Sequence, residues 1–169
     1  MIVVGIDPGK RGAIVVLDHE HWNVVEMMPD RGDGLVDIDR VYSTFWAWNP
    51  DAISIERPQV RPKEGRVSIS TNFEQYGRLL GAADAYKAQC ARLHDSREVH
   101  VRTPAPKVWQ KIIPAMIQGH TPKERSIKFV SEFMPEIQLI PPGKRVPQDG
   151  IADAACIAGW TLSRFASQG

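Results

Sequence analysis

The sequence is poor in cysteine and has no long hydrophobic run. Its 169 residues include two cysteines, Cys90 and Cys156, and both lie in apolar patterns of helical spacing. They form no metal-type spacing, so we predict buried free thiols in a reducing compartment and no disulfide. No apolar run approaches the roughly 20 residues that a membrane-spanning helix needs. The sequence therefore predicts neither a disulfide-stapled protein nor a membrane protein.

The chain is also too short for two ordinary domains. With 169 residues, of which 43% are apolar, it suffices for one domain, 1–169, with a proper hydrophobic core. Met1 leads directly into an apolar segment without a charged leader, so we predict no signal peptide and expect a cytoplasmic protein. The sequence contains no internal repeat and no low-complexity tract.

The net charge is only +1, but it is unevenly distributed along the chain. Residues 18–51 carry eight acids against two arginines, a net charge of −6. Residues 57–66 carry four bases against one acid, and residues 102–128 carry six bases against one acid, for net charges of +3 and +5. Two basic segments that follow an acidic one are typical of a protein with a polyanion-binding face.

The first residues predict a buried central strand that ends in a carboxylate. Ile2 to Ile6 is apolar and rich in β-branched residues, and Pro8 and Gly9 end the strand just after Asp7. Burial of an unpaired carboxylate is costly. Asp7 is therefore expected either to share a divalent cation with other acids or, more simply, to form a turn.

Periodicity predicts the remaining elements. Segments 12–17 and 22–27 are predicted to form an antiparallel meander with the first strand, and a crossover helix over 35–48 implies parallel pairing of strand 52–56. The later predictions are a basic loop over 57–71, a helix over 72–93 capped by Asn72, a strand over 99–101, and helices over 104–113, 121–133 and 149–165. The fold class is thus α/β, with a mixed five-stranded sheet, antiparallel in its first three strands and then parallel, flanked by helices.

Two of these helices carry finer expectations. Gly77 and Gly81 lie four residues apart and leave room for close packing, either against a partner or against the core. In the helix over 121–133, Thr121 is the predicted cap, Pro122 takes the first position and Glu124 lies three residues after the cap. Its predicted inward side chains are Ile127, Val130 and Phe133.

Four acids are candidates for catalysis. Asp7 and Glu56 end neighbouring parallel strands, and Asp149 and Asp153 share one face of the last helix. Four carboxylates together need cations, and oxygen ligands suit Mg²⁺ or Mn²⁺, which in pairs hydrolyse phosphodiesters. Each acid also has a simpler interpretation: Glu56 as a surface strand end, Asp149 as a helix cap, and Asp153 as a solvated helix residue.

At these residues the sequence resembles the RuvC family of Holliday junction resolvases, within the RNase H-like superfamily. The strongest agreement lies in Gly5-Ile6-Asp7-Pro8-Gly9 with Gly12, in Ile55-Glu56, and in Asp149-Gly-Ile-Ala-Asp153-Ala. Weaker agreement lies in Thr121 to Ile127 and around Trp109 and Lys111. The last two acids are four apart here and three apart in the bacterial enzymes, and phage-type relatives resemble the chain more closely.

The resemblance implies an RNase H-like sheet, a homodimer, and paired nicks in four-way DNA junctions that leave 5′-phosphates and 3′-hydroxyls. It implies two Mg²⁺ ions, with Mn²⁺ as a substitute, held by Asp7, Glu56, Asp149 and Asp153. It implies no membrane partner and no nucleotide cofactor, in the cytosol of a bacterium or of a phage-infected host.

The resemblance also implies a DNA-binding set. Phe73 or Tyr76 is a candidate to stack on an unpaired base, with a core position as the alternative for Phe73. Lys111 and Lys123 match basic residues near the scissile phosphate, although both also fit solvated helix positions. The full set is Arg57, Arg61, Lys63, Arg66, Phe73, Lys107, Lys111 and Lys123.

Three other functions compete with junction resolution. One is a different RNase H-like nuclease, acting on flaps, branched replication intermediates or RNA–DNA hybrids. The second is a non-catalytic DNA-binding module, which the intact set of four acids disfavours. The third is an ATP-using enzyme of the actin-like or sugar-kinase type, which needs a second related domain and a second phosphate loop that this chain lacks.

Overall fold

Strand β1 (Ile2–Ile6) lies at the centre of a five-stranded sheet in the computed structural model of the chain. The structure describes residues 1–18, 22–60, 65–93, 98–117, 119 and 121–166. Strands β2 (Ala13–Asp18) and β3 (Trp22–Met27) continue from β1 as an antiparallel meander. On the other side, β4 (Ala52–Ile55) pairs with β1 and β5 (His100–Arg102) pairs with β4, both in parallel. The strand order is β3-β2-β1-β4-β5.

Helices cover both faces of this sheet. They are α1 (Ile38–Trp48), α2 (Arg66–Leu93), α3 (Pro106–Trp109) with a 3₁₀ turn over Gln110–Ile112, α4 (Pro122–Phe133) and α5 (Asp149–Ala166). Because side chains alternate across a strand, Val3 points into a core with α4 and α5, while Val4 and Ile6 point into a second core with α1 and α2. The predicted α/β fold class, with three antiparallel strands followed by parallel ones, is confirmed.

Several local predictions can be compared with the structure. Thr121 caps α4, since its hydroxyl accepts a hydrogen bond from Glu124 N at 3.2 Å, and Pro122 takes the first helical position. Helix α1 begins a little later than predicted, because Asp37 accepts a hydrogen bond from Arg40 N at 3.1 Å and so caps it. Cys90 and Cys156 are buried free thiols. Within the described part of the chain, no helix is long and apolar enough to cross a membrane.

The predicted basic loop over 57–71 is partly wrong, because α2 already begins at Arg66. Asn72 therefore lies inside the helix and does not cap it. The first turns of α2 have no buried face: Val67 is 81% exposed and Phe73 is 43% exposed. A segment without a buried face shows no apolar periodicity, so the pattern of the sequence could not place this part of the helix.

The inward position predicted for Phe133 is also wrong. Helix α4 buries Ser126, Phe129 and Val130, and Ile127 packs at the edge of the same core. Phe133 is 47% exposed and stacks on the Phe129 ring with centroids 5.1 Å apart. The inward face therefore includes a buried serine, which an apolar pattern does not detect.

A hydrogen bond between two buried hydroxyls joins α5 to the sheet. Thr161 Oγ1 and Ser54 Oγ lie 2.7 Å apart, and neither residue is exposed to solvent. Thr161 Oγ1 also lies 2.7 Å from Ile157 O, one turn earlier in α5. The pair fixes the position of the C-terminal half of α5 over β4.

We expect Thr161→Val to lower the free energy of unfolding by about 1–3 kcal/mol, because valine keeps the shape but leaves the Ser54 hydroxyl without this partner. Urea unfolding monitored by circular dichroism measures the change. Thr161→Ser is the matched control, since it keeps the hydroxyl and loses only a methyl group. A larger loss with serine than with valine would contradict the prediction and assign the effect to packing.

Candidate active site

The four predicted acids line one cleft at the carboxyl ends of β1 and β4. Asp7 directly follows β1 and Glu56 directly follows β4, and the ladder between these parallel strands continues through a Glu56 N–H bond to Ile6 O of 2.9 Å. Asp149 and Asp153 lie in the first two turns of α5. The cleft has a volume of about 260 Å³. Two strands and one helix therefore bring residues together that are up to 146 positions apart in the sequence.

Two glycines allow α5 to approach β1 closely. A Cβ atom on Gly5 would lie 2.2 Å from Ala154 O and 2.5 Å from Ala158 N, which is far inside contact distance. A Cβ atom on Gly150 would lie 2.0 Å from Arg11 O, in the turn after β1. Because the backbones meet directly at both points, Asp149 and Asp153 reach the side of the sheet where Asp7 lies.

Asp7 combines both of its predicted roles. Its Oδ1 accepts a hydrogen bond from Gly9 N at 3.0 Å, and its own N–H donates to Ala13 O at 3.1 Å. It therefore forms the turn after β1 and also lines the cleft. An asparagine retains a side-chain oxygen that accepts in the same way, so the turn does not require the charge.

Asp153 is a carboxyl group of the cleft whose pKa is strongly raised. Its pKa is raised from an ordinary 3.8 to about 7, chiefly by burial and also by the negative charges of Asp7 and Asp149, while the Ser126 hydroxyl and Lys123 oppose the shift. Its Oδ1 atom is buried and has no hydrogen-bond partner among the described residues. Asp153 is therefore not a solvated helix residue. A buried carboxylate oxygen without a partner is where a cation would be expected.

Asp149 pairs with a cation supplied by the chain. The ammonium group of Lys123, on the first turn of α4, forms an ion pair and hydrogen bond with Asp149 Oδ2. Lys123 is largely exposed, so the pair contributes little to stability. It does hold the predicted phosphate-binding lysine against the acids of the cleft.

The donor set fits a hard divalent cation, although the acids do not converge on one point. Among the residues described, no three His, Cys, Asp or Glu side chains lie close enough to hold a metal ion. Like charges repel, and Lys123 compensates part of the charge in this arrangement. All four groups are nevertheless carboxylates, the ligand type that Mg²⁺ and Mn²⁺ prefer, and the unpartnered Asp153 oxygen lies among them. Metal ligation by these residues remains a prediction.

Two basic residues of the cleft were not identified from the sequence. Lys10 and Arg11, in the turn between β1 and β2, line the cleft together with Lys123. The available signal was their position, because two consecutive bases directly follow the Asp7-Pro-Gly segment. Cations beside clustered acids suit a substrate that is itself an anion.

A tryptophan contact to Glu56 was also missed. Trp109 Nε1 donates a hydrogen bond to Glu56 Oε2 at 3.1 Å, and Trp109 is only 1% exposed. In the sequence, Trp109 stood out only as a weak point of resemblance. Because the two residues are 53 positions apart and on different elements, no local pattern relates them.

Of the other predicted DNA-binding residues, those that the structure describes lie outside the cleft. Arg57, Arg66, Lys107 and Lys111 are exposed. Phe73 is exposed as well, which removes the core alternative, whereas Tyr76 packs against the core shared with α1 and α2. Arg61 and Lys63 lie outside the described residues. Asn72 of α2 lines the cleft, and Phe73 is the next residue of the same helix.

Comparison with known proteins supports the fold. No family model matches the sequence, and no curated protein matches it. Among solved structures, Thermus thermophilus RuvC in complex with a Holliday junction substrate matches with a TM-score of 0.66 and 19% identity, over 100% of this chain and 96% of that one. A second structure of Thermus thermophilus RuvC matches with a TM-score of 0.57 and 21% identity, over 100% and 97%.

A third solved structure is more distant in origin. The yeast mitochondrial Holliday junction resolvase Ydc2 matches with a TM-score of 0.54 and 16% identity, over 98% of this chain and 85% of that one. Identities this low establish the fold and not the activity. The chain therefore has the RuvC-like, RNase H-like fold predicted from its sequence.

Proposed function

We propose that this chain is a metal-dependent endonuclease that resolves four-way DNA junctions by paired nicks. The observation that carries the proposal is the cleft itself. Four carboxylates from β1, β4 and α5 line it, one of their buried oxygens lacks a partner, and Lys10, Arg11 and Lys123 lie beside them. A purely DNA-binding surface would gain nothing from four acids, because they repel phosphate unless a cation is bound.

Asp7, Glu56 and Asp153 are the proposed direct ligands of Mg²⁺ or Mn²⁺, and Asp149 completes the set. Two such ions, if held there, would supply Lewis-acid activation of water and of the scissile phosphate, and the expected products carry a 5′-phosphate and a 3′-hydroxyl. A cation near Asp153 favours its ionised form, which returns its pKa toward the ordinary range. Lys123 then exchanges its bond to Asp149 for one to a phosphate oxygen of the substrate.

The exposed bases outside the cleft are proposed to hold the DNA backbone. Arg57, Arg66, Lys107 and Lys111 are exposed. Phosphate contacts through them would position a duplex without reading its sequence. Arg61 and Lys63 belong to the same proposed set. Phe73, exposed on α2, is the proposed residue that stacks on an unpaired base at the junction centre.

A homodimer is proposed because a two-fold protein suits a two-fold junction and places one cleft at each of two strands. Gly77 and Gly81 support a partner at α2. A Cβ atom on either glycine would have no neighbour within 4 Å among the described residues, so neither packs closely against the core. Of the two roles predicted for these glycines, partner contact is the one we retain.

The deciding experiment uses labelled synthetic DNA: a four-way junction, a flap, an RNA–DNA hybrid and a linear duplex, each with Mg²⁺, Mn²⁺ or EDTA. Metal-dependent paired nicks in the junction, with the duplex spared, are the expected result. Preferential cutting of flaps or hybrids would assign a different nuclease activity to the same cleft. Junction binding without cutting under any metal would contradict the proposal and leave a binding module.

Neutralising the two lysines near α3 is expected to weaken junction binding and its dependence on salt. The slope of log K against log salt is negative, and each lost phosphate contact reduces its magnitude by about 0.9. Lys107→Gln with Lys111→Gln should therefore reduce the magnitude of the slope by about 2 per subunit. Fluorescence anisotropy in EDTA at several salt concentrations measures the slope.

The matched control replaces Lys87 and Arg92, both exposed on the C-terminal half of α2. Lys87 lies about 22 Å along the helix from Asn72 at the cleft, given a rise of about 1.5 Å per residue. The control pair is expected to keep the original slope. If both double substitutions reduced the magnitude of the slope equally, overall charge, and not this surface, would govern binding.

A further inference from the structure

The indole of Trp109 holds one carboxylate of the cleft. Its Nε1–H donates to Glu56 Oε2 at 3.1 Å, within the ordinary range for such a bond. Trp109 itself belongs to the core that also contains the buried face of α5. An indole N–H buried in such a core needs an acceptor, and Glu56 supplies it with a charged oxygen, which strengthens the bond.

Backbone hydrogen bonds hold the chain in place on both sides of this contact. On one side, Glu56 N donates to Ile6 O at 2.9 Å, which ties Glu56 to the central strand. The next residue, Arg57, donates its N–H to Pro104 O at 3.0 Å, just before α3. On the other side, Pro106 opens α3, and Val108 N bonds to Ala105 O at 2.8 Å. The separation between the indole and the carboxylate is therefore set by the fold.

The chemistry of the indole suits this position. Its N–H is a donor only and does not titrate in the range where carboxyl groups do, so it neither competes for a cation nor releases Glu56 as pH changes. A phenylalanine at the same place would fill the core without holding the carboxylate. The hydrogen bond is thus a specific contribution of tryptophan beyond its apolar area.

We propose that Trp109 is a positioning residue, which orients the Glu56 carboxylate toward the cation of the cleft. The inference rests on the proposed metal-dependent function. It assigns an effect on metal affinity to Trp109, which is not one of the four acids. Loss of a hydrogen bond to a metal ligand typically weakens metal binding by about 10- to 100-fold. The same loss is expected for Trp109→Phe.

The test is calorimetric titration of Mn²⁺ into the protein without DNA. Trp109→Phe should bind Mn²⁺ about 10- to 100-fold more weakly than the unsubstituted chain. Trp160→Phe is the matched control, because Trp160 packs at the edge of the same core. It should leave Mn²⁺ affinity unchanged while losing a comparable apolar area.

A double-substitution cycle separates positioning from packing. In a Glu56→Gln background, the carboxylate that Trp109 orients is absent, so Trp109→Phe should have little further effect on Mn²⁺ affinity. A purely structural role would lower thermal stability in both backgrounds and leave metal affinity alone. Either that result, or an equal loss of affinity in both backgrounds, overturns the proposal.

The unsubstituted chain provides a second measurement if Trp109→Phe does not fold. The five tryptophans give five indole N–H signals in a nitrogen–proton correlation spectrum, and the Trp109 signal is the one that Glu56→Gln shifts most. Addition of Mg²⁺ should shift the same signal, and its failure to move overturns the positioning role. Absence of Mn²⁺ binding by the unsubstituted chain overturns the proposed function as well, so the two failures are distinguishable.

Discussion

Asp7→Asn is expected to lower the rate of junction cutting by more than about 1,000-fold, while junction binding in EDTA stays within about threefold of the unsubstituted chain. The change removes the charge that a divalent cation requires but keeps the side-chain oxygen that accepts from Gly9 N at 3.0 Å. The turn after β1 and the fold are therefore expected to survive. Single-turnover cutting with excess enzyme measures the loss.

Asp84→Asn is the matched control for this experiment. Asp84 is exposed on α2 and does not line the cleft, so its replacement should leave cutting unchanged. Cutting by Asp7→Asn at more than a tenth of the original rate would exclude Asp7 as a metal ligand. A loss of junction binding together with cutting would indicate a folding defect, which circular dichroism would then reveal.

The second large effect is a loss of stability with rising pH in the absence of metal. The pKa of the Asp153 carboxyl is about 7 in the folded chain against an ordinary 3.8, because the group is buried beside other acids. Between these two values the folded state holds a proton that the unfolded state has released. Stability must therefore fall as pH rises through this range. At about 1.4 kcal/mol per pKa unit, the loss reaches at most about 4 kcal/mol by pH 8.

Urea unfolding in EDTA between pH 4 and pH 8 measures this loss. Asp153→Asn cannot ionise, so it should be the more stable protein at pH 8, and its stability should vary less with pH. At pH 8, Mg²⁺ should raise the stability of the unsubstituted chain. It should raise the stability of Asp153→Asn much less. Asp84→Asn should reproduce the unsubstituted profile. Stability that rises with pH in EDTA would show that burial does not penalise the Asp153 charge.

The site residues that belong to or directly follow a clear apolar or helical pattern were predictable from the sequence. Asp7 and Glu56 follow short apolar strands that have little alternative to a buried sheet, and the crossover through α1 makes the two strands parallel. The ends of parallel strands meet at one edge, so their proximity followed from topology alone. The helical spacing of Asp149 and Asp153 placed both on one face of α5 in the same way.

The parts that depend on tertiary contacts were not predictable. Trp109 meets Glu56 only because α3 is folded back against the end of β4, and no spacing along the chain encodes that contact. Lys10 and Arg11 belong to a turn that packs closely against Gly150 of α5, and this contact lies far away in the sequence. The start of α2 was missed for the opposite reason, since its exposed side chains carry no periodic signal.

Because α5 contacts β1 directly, a substitution that separates them disrupts both the fold and the site. At Gly5 two main chains touch, so any side chain there pushes the helix off the central strand and separates Asp153 from Asp7. Two acids of the cleft lie in α5 and the other two directly follow β1 and β4, so their positions cannot vary while the core is preserved. A lineage that carries this fold cannot drift gradually to a bulkier residue at Gly5 and keep a folded, inactive protein, because the same change destroys both.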